Sequence, residues 1–236
     1  MIDHSALRAR LAAVRDRIAA AAGRAKRDPA GIRLVAVSKT FPTDYIRAAA
    51  DAGHADFGEN RVQEALRKMQ EIGELPLRWH LVGHLQSNKS RKVGGFDVIH
   101  SMDSPELCRA VDDAAAAAGR TIELLVQVDL AGEPTKHGAR PEELPGICRA
   151  AESARAARVV GLMLLPPAVD DPDAARPFFR ALRDVRQRLL DQGVDAAMLR
   201  ELSMGMSHDF EVAVEEGATI VRVGTAIFGV RPQPGV

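Results

Sequence analysis

The sequence predicts an α/β protein that forms a single closed (β/α)8 TIM barrel preceded by one extra N-terminal helix. Short apolar strands alternate with helical stretches, eight such strands can be counted, and 236 residues suit one barrel. Alternation of this kind implies parallel strands joined by crossover helices. An open doubly wound sheet is the rival fold. It is weakened because no G-x-G-x-x-G motif follows the first strand.

The periodicity of the apolar residues defines the individual elements. Leu7, Leu11, Val14 and Ile18 recur at helical spacing and predict the N-terminal helix. The expected strands are 33–38, 55–58, 79–82, 97–101, 122–128, 159–164, 201–203 and 219–223. The expected helices between them are 43–52, 62–72, 88–93, 105–118, 141–154, 173–191 and 207–216. We therefore expect one domain over 1–236, with the N-terminal helix in 1–30 and the barrel in 31–231.

Composition excludes several classes of function. Lysine plus arginine equal aspartate plus glutamate at 32 each, so the net charge is zero and no general nucleic-acid surface is expected. Aromatic residues make up 4% of the chain, too few for base-stacking platforms. No apolar run approaches the roughly 20 residues of a membrane span. With no signal peptide and only Cys108 and Cys148, we expect reduced thiols and a cytoplasmic protein.

Lys39 is the first residue that suggests chemistry, because it directly follows the first barrel strand. It is either a solvated strand end or a buried amine placed for a reaction. Burial lowers the pKa of a lysine, and a neighbouring cation lowers it further, as a Schiff base requires. In a closed barrel the seventh, eighth and first strands are neighbours. Ser203, Arg222 and Lys39 would then lie together on the catalytic face.

Arg222 lies on an alternating strand and shares a face with Ile220. If that face points into the barrel, the buried guanidinium needs an acceptor, and a pyridine nitrogen is one. An arginine keeps its proton, so the ring nitrogen would stay unprotonated and the cofactor would be a weak electron sink. The alternative is a salt bridge to a barrel carboxylate such as Glu201.

Two loops on the same face carry small and hydroxyl residues that suit a phosphate group. Ser203 and Ser207 bracket a glycine-containing turn, and Gly224 and Thr225 follow the last strand. Small residues let backbone N–H groups approach an anion, and hydroxyl groups add donors. Ser207 can also cap the following helix, and both roles can hold. One lysine beside two such loops is what a pyridoxal phosphate site requires.

The polar stretch 79–89 and the end of the second strand add further candidates. His80 and His84 have the i,i+4 spacing of a helical metal pair, but Gly83 and the preceding apolar run favour a strand and a loop. We therefore expect no metal. Asn60 follows the second strand on the same face as Lys39, and we expect it to contact the cofactor. Its alternative role is to cap the next helix.

Together these segments resemble the pyridoxal phosphate homeostasis proteins, whose barrel is similar to the N-terminal domain of alanine racemase. The resembling motifs are A-V-S-K at 36–39, G-E-N at 58–60, the run 79–89, Q-V-D at 127–129, K-H-G at 136–138, G-L-M at 161–163, the run 203–209, V-R-V-G-T at 221–225 and F-G at 228–229. The resemblance implies that Lys39 holds pyridoxal 5'-phosphate as a Schiff base. It also implies Arg222 at the pyridine nitrogen, and Ser203, Gly224 and Thr225 around the phosphate.

One position departs from the family pattern. Gln127-Val128 is usually followed by asparagine in this family, whereas this chain has Asp129. The contact made at that position is therefore left open.

Two classes of function compete. The resemblance implies a carrier that binds pyridoxal phosphate and maintains its intracellular supply. The alternative is an amino-acid racemase or a related lyase, and racemisation needs an acid/base group on each face of the substrate. In the resembling racemases the second base is a tyrosine from another domain of the partner subunit. Here the only tyrosine, Tyr45, lies in the helix after the first strand and is expected to face away.

We therefore expect a carrier without strong catalytic activity. A plain barrel scaffold is a third reading. The expected partners are pyridoxal phosphate and apoenzymes that depend on it, with no nucleic acid and no membrane. The chain ends in a Pro/Gly tail after the last strand and its short helix, so we expect a monomer with an open barrel mouth.

Overall fold

The structure is a computed structural model that describes residues 3–132 and 137–230. Its strands are β1 Arg33–Val37, β2 Asp56–Glu59, β3 Arg78–Leu81, β4 Val98–Met102, β5 Ile122–Gln127, β6 Ala157–Met163, β7 Glu201–Ser203 and β8 Ile220–Val223. All eight pair in parallel in sequence order, and β8 pairs with β1 to close the barrel. The predicted fold is confirmed, and every predicted strand lies within two residues of its expected bounds.

The helices of the described residues lie outside the barrel. They are α1 His4–Arg24, α2 Thr43–Asp51, α3 Val62–Ile72, α4 Pro105–Ala117, α5 Leu144–Ala151, α6 Arg176–Asp191, α7 Phe210–Glu215 and α8 Thr225–Phe228. The helix expected at 88–93 is a 3₁₀ helix, Ser87–Lys92. The segments expected at 141–154 and 173–191 each begin as a 3₁₀ turn before α5 and α6. Pro145 and Pro177 explain this division, since proline is tolerated in the first turn of an α-helix and not inside it.

Apolar residues pack in two layers. The barrel interior holds a cluster of Val35, Val37, Val82, Val98, Leu125, Val160, Met163 and Ile220. A larger cluster fills the space between the strands and the helices. Leu7, Leu11, Val14 and Ile18 of α1 are buried there, where α1 packs against α7, α8 and α2. Within the described residues, no helix is long and apolar enough to span a membrane.

Candidate functional site

A cavity of about 520 Å³ opens at the C-terminal ends of the strands, the face on which such barrels carry their active sites. It is lined by Val37, Lys39, Asn60, Val82, Gly83, His84, Gln127, His137, Leu165, Met206, Ser207, His208, Arg222, Gly224 and Thr225. Five of the six residues expected at a cofactor lie in this wall. The sixth, Ser203, does not.

Lys39 leaves β1 in a turn whose two neighbouring residues are both held in place. The hydroxyl of Ser38 donates to Glu59 Oε1 at 2.6 Å, and the backbone N–H of Thr40 donates to Glu64 Oε1 at 2.8 Å. Thr40 has a φ of 69°, in the left-handed region that β-branched residues rarely adopt. Such a conformation costs on the order of 1–3 kcal/mol and persists only where its surroundings enforce it. The half-buried Lys39 is therefore presented to the cavity by a constrained turn.

Lys68 of α3 joins the two carboxylates that hold this turn. Its Nζ is buried, donates to Glu59 Oε1 at 2.7 Å and to the Ser38 carbonyl at 2.9 Å, and pairs with Glu64 Oε1 at 2.9 Å. Burial raises the pKa of Glu59, while Lys68 and the Ser38 hydroxyl oppose that shift. The cluster formed by Lys68, Glu59 and Glu64 thus lies directly behind the Lys39 turn.

Arg222 of β8 points into the barrel, and only 4% of its surface is exposed. Its Nη1 donates to Ser203 Oγ at 2.5 Å and its Nη2 donates to the Leu164 carbonyl at 2.8 Å. The salt bridge to Glu201 weighed from the sequence is not what the structure shows, because Glu201 accepts the Thr219 hydroxyl instead. Burial lowers the pKa of Arg222 to about 10, so the guanidinium stays charged at neutral pH.

Ser203 lies beneath the cavity, which corrects its expected position at the rim. It is fully buried, and its Oγ lies between Arg222 Nη1 and His100 Nδ1, the latter at 2.8 Å. The register explains the difference: Ser203 pairs with Ile220, two residues before Arg222, so its side chain lies one layer deeper in the barrel.

Ser207 occupies the position at the cavity wall that was expected for Ser203. Its Oγ accepts the backbone N–H groups of Gly224 at 3.1 Å and Ala226 at 3.4 Å, which joins the loops after β7 and β8. The capping role considered for Ser207 is not observed, since α7 begins only at Phe210 and its N-cap residue is Asp209.

Asn60 lines the cavity and does not cap α3, whose N-cap residue is Arg61. The backbone of Asn60 packs tightly against Gly83 of the next loop. A Cβ atom at Gly83 would lie 2.3 Å from the Asn60 carbonyl oxygen, so only glycine fits there. Asp129 is not one of the residues that line the cavity, and its Oδ1 accepts the N–H groups of Ala131 and Gly132.

Among the cavity residues that were not assigned a role from the sequence, three polar ones contact one another. The imidazole rings of His84 and His137 stack at the cavity mouth, with centroids 3.5 Å apart and planes 8° apart. The amide of Gln127 donates to the His137 carbonyl at 2.5 Å. Burial, and to a lesser degree the neighbouring His137, lowers the pKa of His84. Only their presence in the motifs at 79–89, 127–129 and 136–138 could have pointed to them; Lys136 of the last motif lies outside the described residues.

His80 and His84 have separate surroundings despite their spacing. His80 is fully buried in the barrel, where its ring contacts Asp56 and His100, whereas His84 lies at the cavity mouth. The two side chains are not brought together, because β3 ends at Leu81 and the chain turns before His84.

Residues 2–232 match the family model described as alanine racemase, N-terminal domain. The chain is 43% identical to the pyridoxal phosphate homeostasis protein of Aquifex aeolicus over 223 residues, which cover 94% of this chain and 97% of that protein. It is 40% identical to the protein of the same name from Escherichia coli K12, covering 94% and 95%.

Solved structures of related proteins are similar to this chain over most of its length. PipY of Synechococcus elongatus PCC7942 with PLP bound has a TM-score of 0.83 and 40% identity, covering 94% of this chain and 100% of that chain. Alanine racemase from Corynebacterium glutamicum shares the fold, with a TM-score of 0.73 and 18% identity. That match covers 100% of this chain and 64% of the racemase.

Proposed function

Because the chain belongs to the pyridoxal phosphate homeostasis protein family, we propose that it binds pyridoxal 5'-phosphate in the cavity at the barrel mouth and maintains the supply of this cofactor. One observation carries the proposal: a lysine, a buried arginine and two hydroxyl residues from separate strand exits line the same cavity. When bound, the cofactor supplies an aldehyde to which a lysine amine can bond covalently. Lys39 is the residue proposed for that bond.

The polar groups around the cavity fit the remaining parts of the cofactor. Arg222 can only donate hydrogen bonds, so it would hold a ring nitrogen in its unprotonated form. The Ser207 oxygen already accepts two N–H groups, and its own proton remains available for an anion. Gly224 packs closely on β1, since a Cβ there would lie 3.2 Å from the Val37 carbonyl oxygen. We assign Ser207, Gly224 and Thr225 to the phosphate, and Asn60 to a contact elsewhere on the cofactor.

A carrier role agrees with the openness of this cavity. Met206 at its rim is 38% exposed, and Thr225 and both stacked histidines are exposed as well. Water that reaches the charged groups weakens electrostatic catalysis, whereas an accessible ligand can be released to an acceptor. We propose that the acceptors are apoenzymes that depend on pyridoxal phosphate, and that the protein works in the cytoplasm.

An amino-acid racemase or lyase is the second candidate, and the stacked histidines are the observation that favours it. A neutral imidazole at the cavity mouth could serve as the second acid/base group that racemisation needs. The other candidates are poorly placed: Tyr45 packs against Phe41 and Phe228 with ring centroids 5.0 and 6.4 Å away. Cys108 and Cys148 are buried, and burial raises the pKa of each thiol to about 11.

The phosphate assignment predicts different effects at the two serines. We expect Ser207→Ala and Thr225→Ala each to weaken binding of pyridoxal phosphate by about 1.5–3 kcal/mol, the free energy of a hydrogen bond to a charged group. Binding of pyridoxal, which lacks the phosphate, should change little. Fluorescence titration of each variant with both ligands measures the two affinities. Ser203→Ala is the matched control, because Ser203 contacts Arg222 and is expected to affect both ligands equally.

Two outcomes would count against this assignment. Equal losses for both ligands in Ser207→Ala would show that Ser207 only supports the loops. A wild-type protein whose absorbance spectrum does not change on addition of pyridoxal phosphate would remove the proposed function itself.

The carrier proposal also predicts a monomer without significant racemase activity. Size-exclusion chromatography with light scattering tests the first part. A deuterium-exchange assay at the α-carbon of alanine, with His84→Ala as the comparison, tests the second. A stable dimer would contradict the first part. Exchange at an ordinary enzyme turnover of about 1–10³ per second, lost in His84→Ala, would favour the racemase instead.

A further inference from the structure

A row of polar side chains crosses the barrel interior beneath the cavity. Arg222 Nη1 lies 2.5 Å from Ser203 Oγ, which lies 2.8 Å from His100 Nδ1. His100 Nε2 lies 2.9 Å from His80 Nδ1, and His80 Nε2 lies 2.9 Å from Asp56 Oδ1. Ser203 and both histidines are fully buried. The row therefore connects the cavity with the N-terminal end of β2, where Asp56 is its first residue.

The arginine sets the direction of the hydrogen bonds from one end. A guanidinium has no acceptor, so Ser203 Oγ must accept from Arg222. The single hydroxyl proton of Ser203 can then be donated to His100 Nδ1. A neutral imidazole carries one proton, which for His100 would lie on Nε2 and be donated to His80 Nδ1.

The carboxylate sets the same direction from the other end. Asp56 Oδ1 accepts, so His80 needs its proton on Nε2, which agrees with an unprotonated Nδ1 facing His100. Although burial raises the pKa of Asp56, the hydrogen bond from His80 and the cations Arg33 and Arg78 lower it overall, which keeps the carboxylate charged. The reversed direction would place a bare nitrogen against this carboxylate.

At both histidines the influences that disfavour a second ring proton outweigh those that favour it. Burial lowers the pKa of His80 and lowers that of His100 well below its usual value. Asp56 opposes this at His80, while Arg33 and Arg78 act on both rings. Arg222 adds its positive charge at His100.

We infer that this row is one directed hydrogen-bond chain, in which Ser203, His100 and His80 position the guanidinium of Arg222 and Asp56 fixes the direction of the bonds from the far end. The inference rests on the proposed function only where it gives Arg222 a contact with the cofactor ring. The chain itself is a property of the protein without ligand. Its residues act through Arg222 and are positioning residues.

Ring protonation in the ligand-free protein tests the chain directly. Long-range ¹H–¹⁵N correlation NMR distinguishes the two neutral forms of a histidine ring and the charged form. At neutral pH we expect both His80 and His100 to be neutral with the proton on Nε2. A proton on Nδ1 of either ring, or a doubly protonated ring, would reverse or break the direction and overturn the inference.

Variants of Ser203 and Asp56 test the link to the cavity. Ser203→Ala should weaken binding of pyridoxal phosphate and of pyridoxal by the same factor, about tenfold, since one hydrogen bond to a charged group is lost. Ser203→Thr keeps the hydroxyl and should restore both affinities. Asp56→Asn keeps an oxygen acceptor for His80 Nε2–H, so the neutral, Nε2-protonated form of both rings should persist.

The possible outcomes distinguish a failure of the hydrogen-bond chain from a failure of the proposed function. Unchanged affinities in Ser203→Ala, or a loss of affinity confined to pyridoxal phosphate, would overturn the inference of a directed hydrogen-bond chain. So would an equal loss in Ser203→Thr when its circular dichroism is native. If the wild type binds no pyridoxal phosphate, the proposed function fails, and the NMR measurement still decides on the chain. If the wild type binds the cofactor and His100 carries its proton on Nδ1, the chain alone fails.

Discussion

Replacing Lys39 with alanine is expected to abolish covalent capture of pyridoxal phosphate. The chain has six lysines, and among the five that the structure describes Lys39 is the one that lines the cavity together with Arg222. Lys68 is buried in its ion cluster, and Lys26 and Lys92 are exposed. In the wild type, borohydride reduction followed by peptide mapping should therefore locate the adduct on Lys39, and in Lys39→Ala that adduct should disappear.

Lys89→Ala is the matched control for this experiment. Lys89 lines a neighbouring cavity of about 500 Å³ that shares Asn60, Gly83 and His84 with the first one. Its replacement should leave the adduct in place. An adduct mapped to Lys89, Lys92 or Lys136 in the wild-type protein would overturn the assignment; in Lys39→Ala, capture by one of these would show only that a second lysine can substitute.

Replacing Lys68 with methionine is expected to lower the free energy of unfolding at neutral pH by about 3–5 kcal/mol, the usual cost of leaving a buried charge without its partner. Lys68 is 2% exposed and Glu59 is fully buried, so water cannot replace the lost ion pair. The turn that presents Lys39 loses its support as well, so cofactor affinity should fall with stability. Urea unfolding monitored by circular dichroism measures the change.

The pH dependence of this loss follows from Glu59. Burial already raises the pKa of its carboxyl, and removal of Lys68 raises it further. A carboxyl whose pKa is higher in the folded state binds its proton more tightly there, so stability falls as pH rises through the raised pKa. The deficit of Lys68→Met should therefore be smaller in acid than at neutral pH.

Two further variants test whether the loss of stability in Lys68→Met is caused by the unpaired charge. Lys26→Met, on the surface, should change stability by no more than about 0.5 kcal/mol. Lys68→Met combined with Glu59→Gln removes both charges and should recover much of the loss. A deficit that is unchanged in acid, or is not reduced in the double variant, would show that packing and not charge is responsible.

The amino-acid sequence by itself determined the barrel and the strand exits. Apolar runs and the alternation of elements are local signals, and each expected strand is found at its place. Barrel closure then implies that Lys39, Asn60, Arg222, Gly224 and Thr225 share one face, because parallel strands end on the same side. The strand positions and barrel closure together explain why these residues line one cavity. Their contacts with a cofactor stay a prediction.

Only the tertiary structure decided which hydroxyl reaches the cavity. Ser203 and Ser207 are equivalent in composition and lie four residues apart in the sequence. The pairing of Ser203 with Ile220 places the first below the rim, and the late start of α7 leaves the second in the loop above it. This depends on the register between two strands, which periodicity within one strand does not contain.

The long-range polar contacts were likewise decided by the tertiary structure. His100 meets Ser203 across 103 positions of the sequence, and the Lys39 turn is held by Lys68 of α3. A buried histidine or lysine in a single strand or helix carries no sign of its partner, since the partner is brought to it by barrel closure. The sequence therefore determines where the strands end, and the packing of distant strands determines which side chains meet beneath those ends.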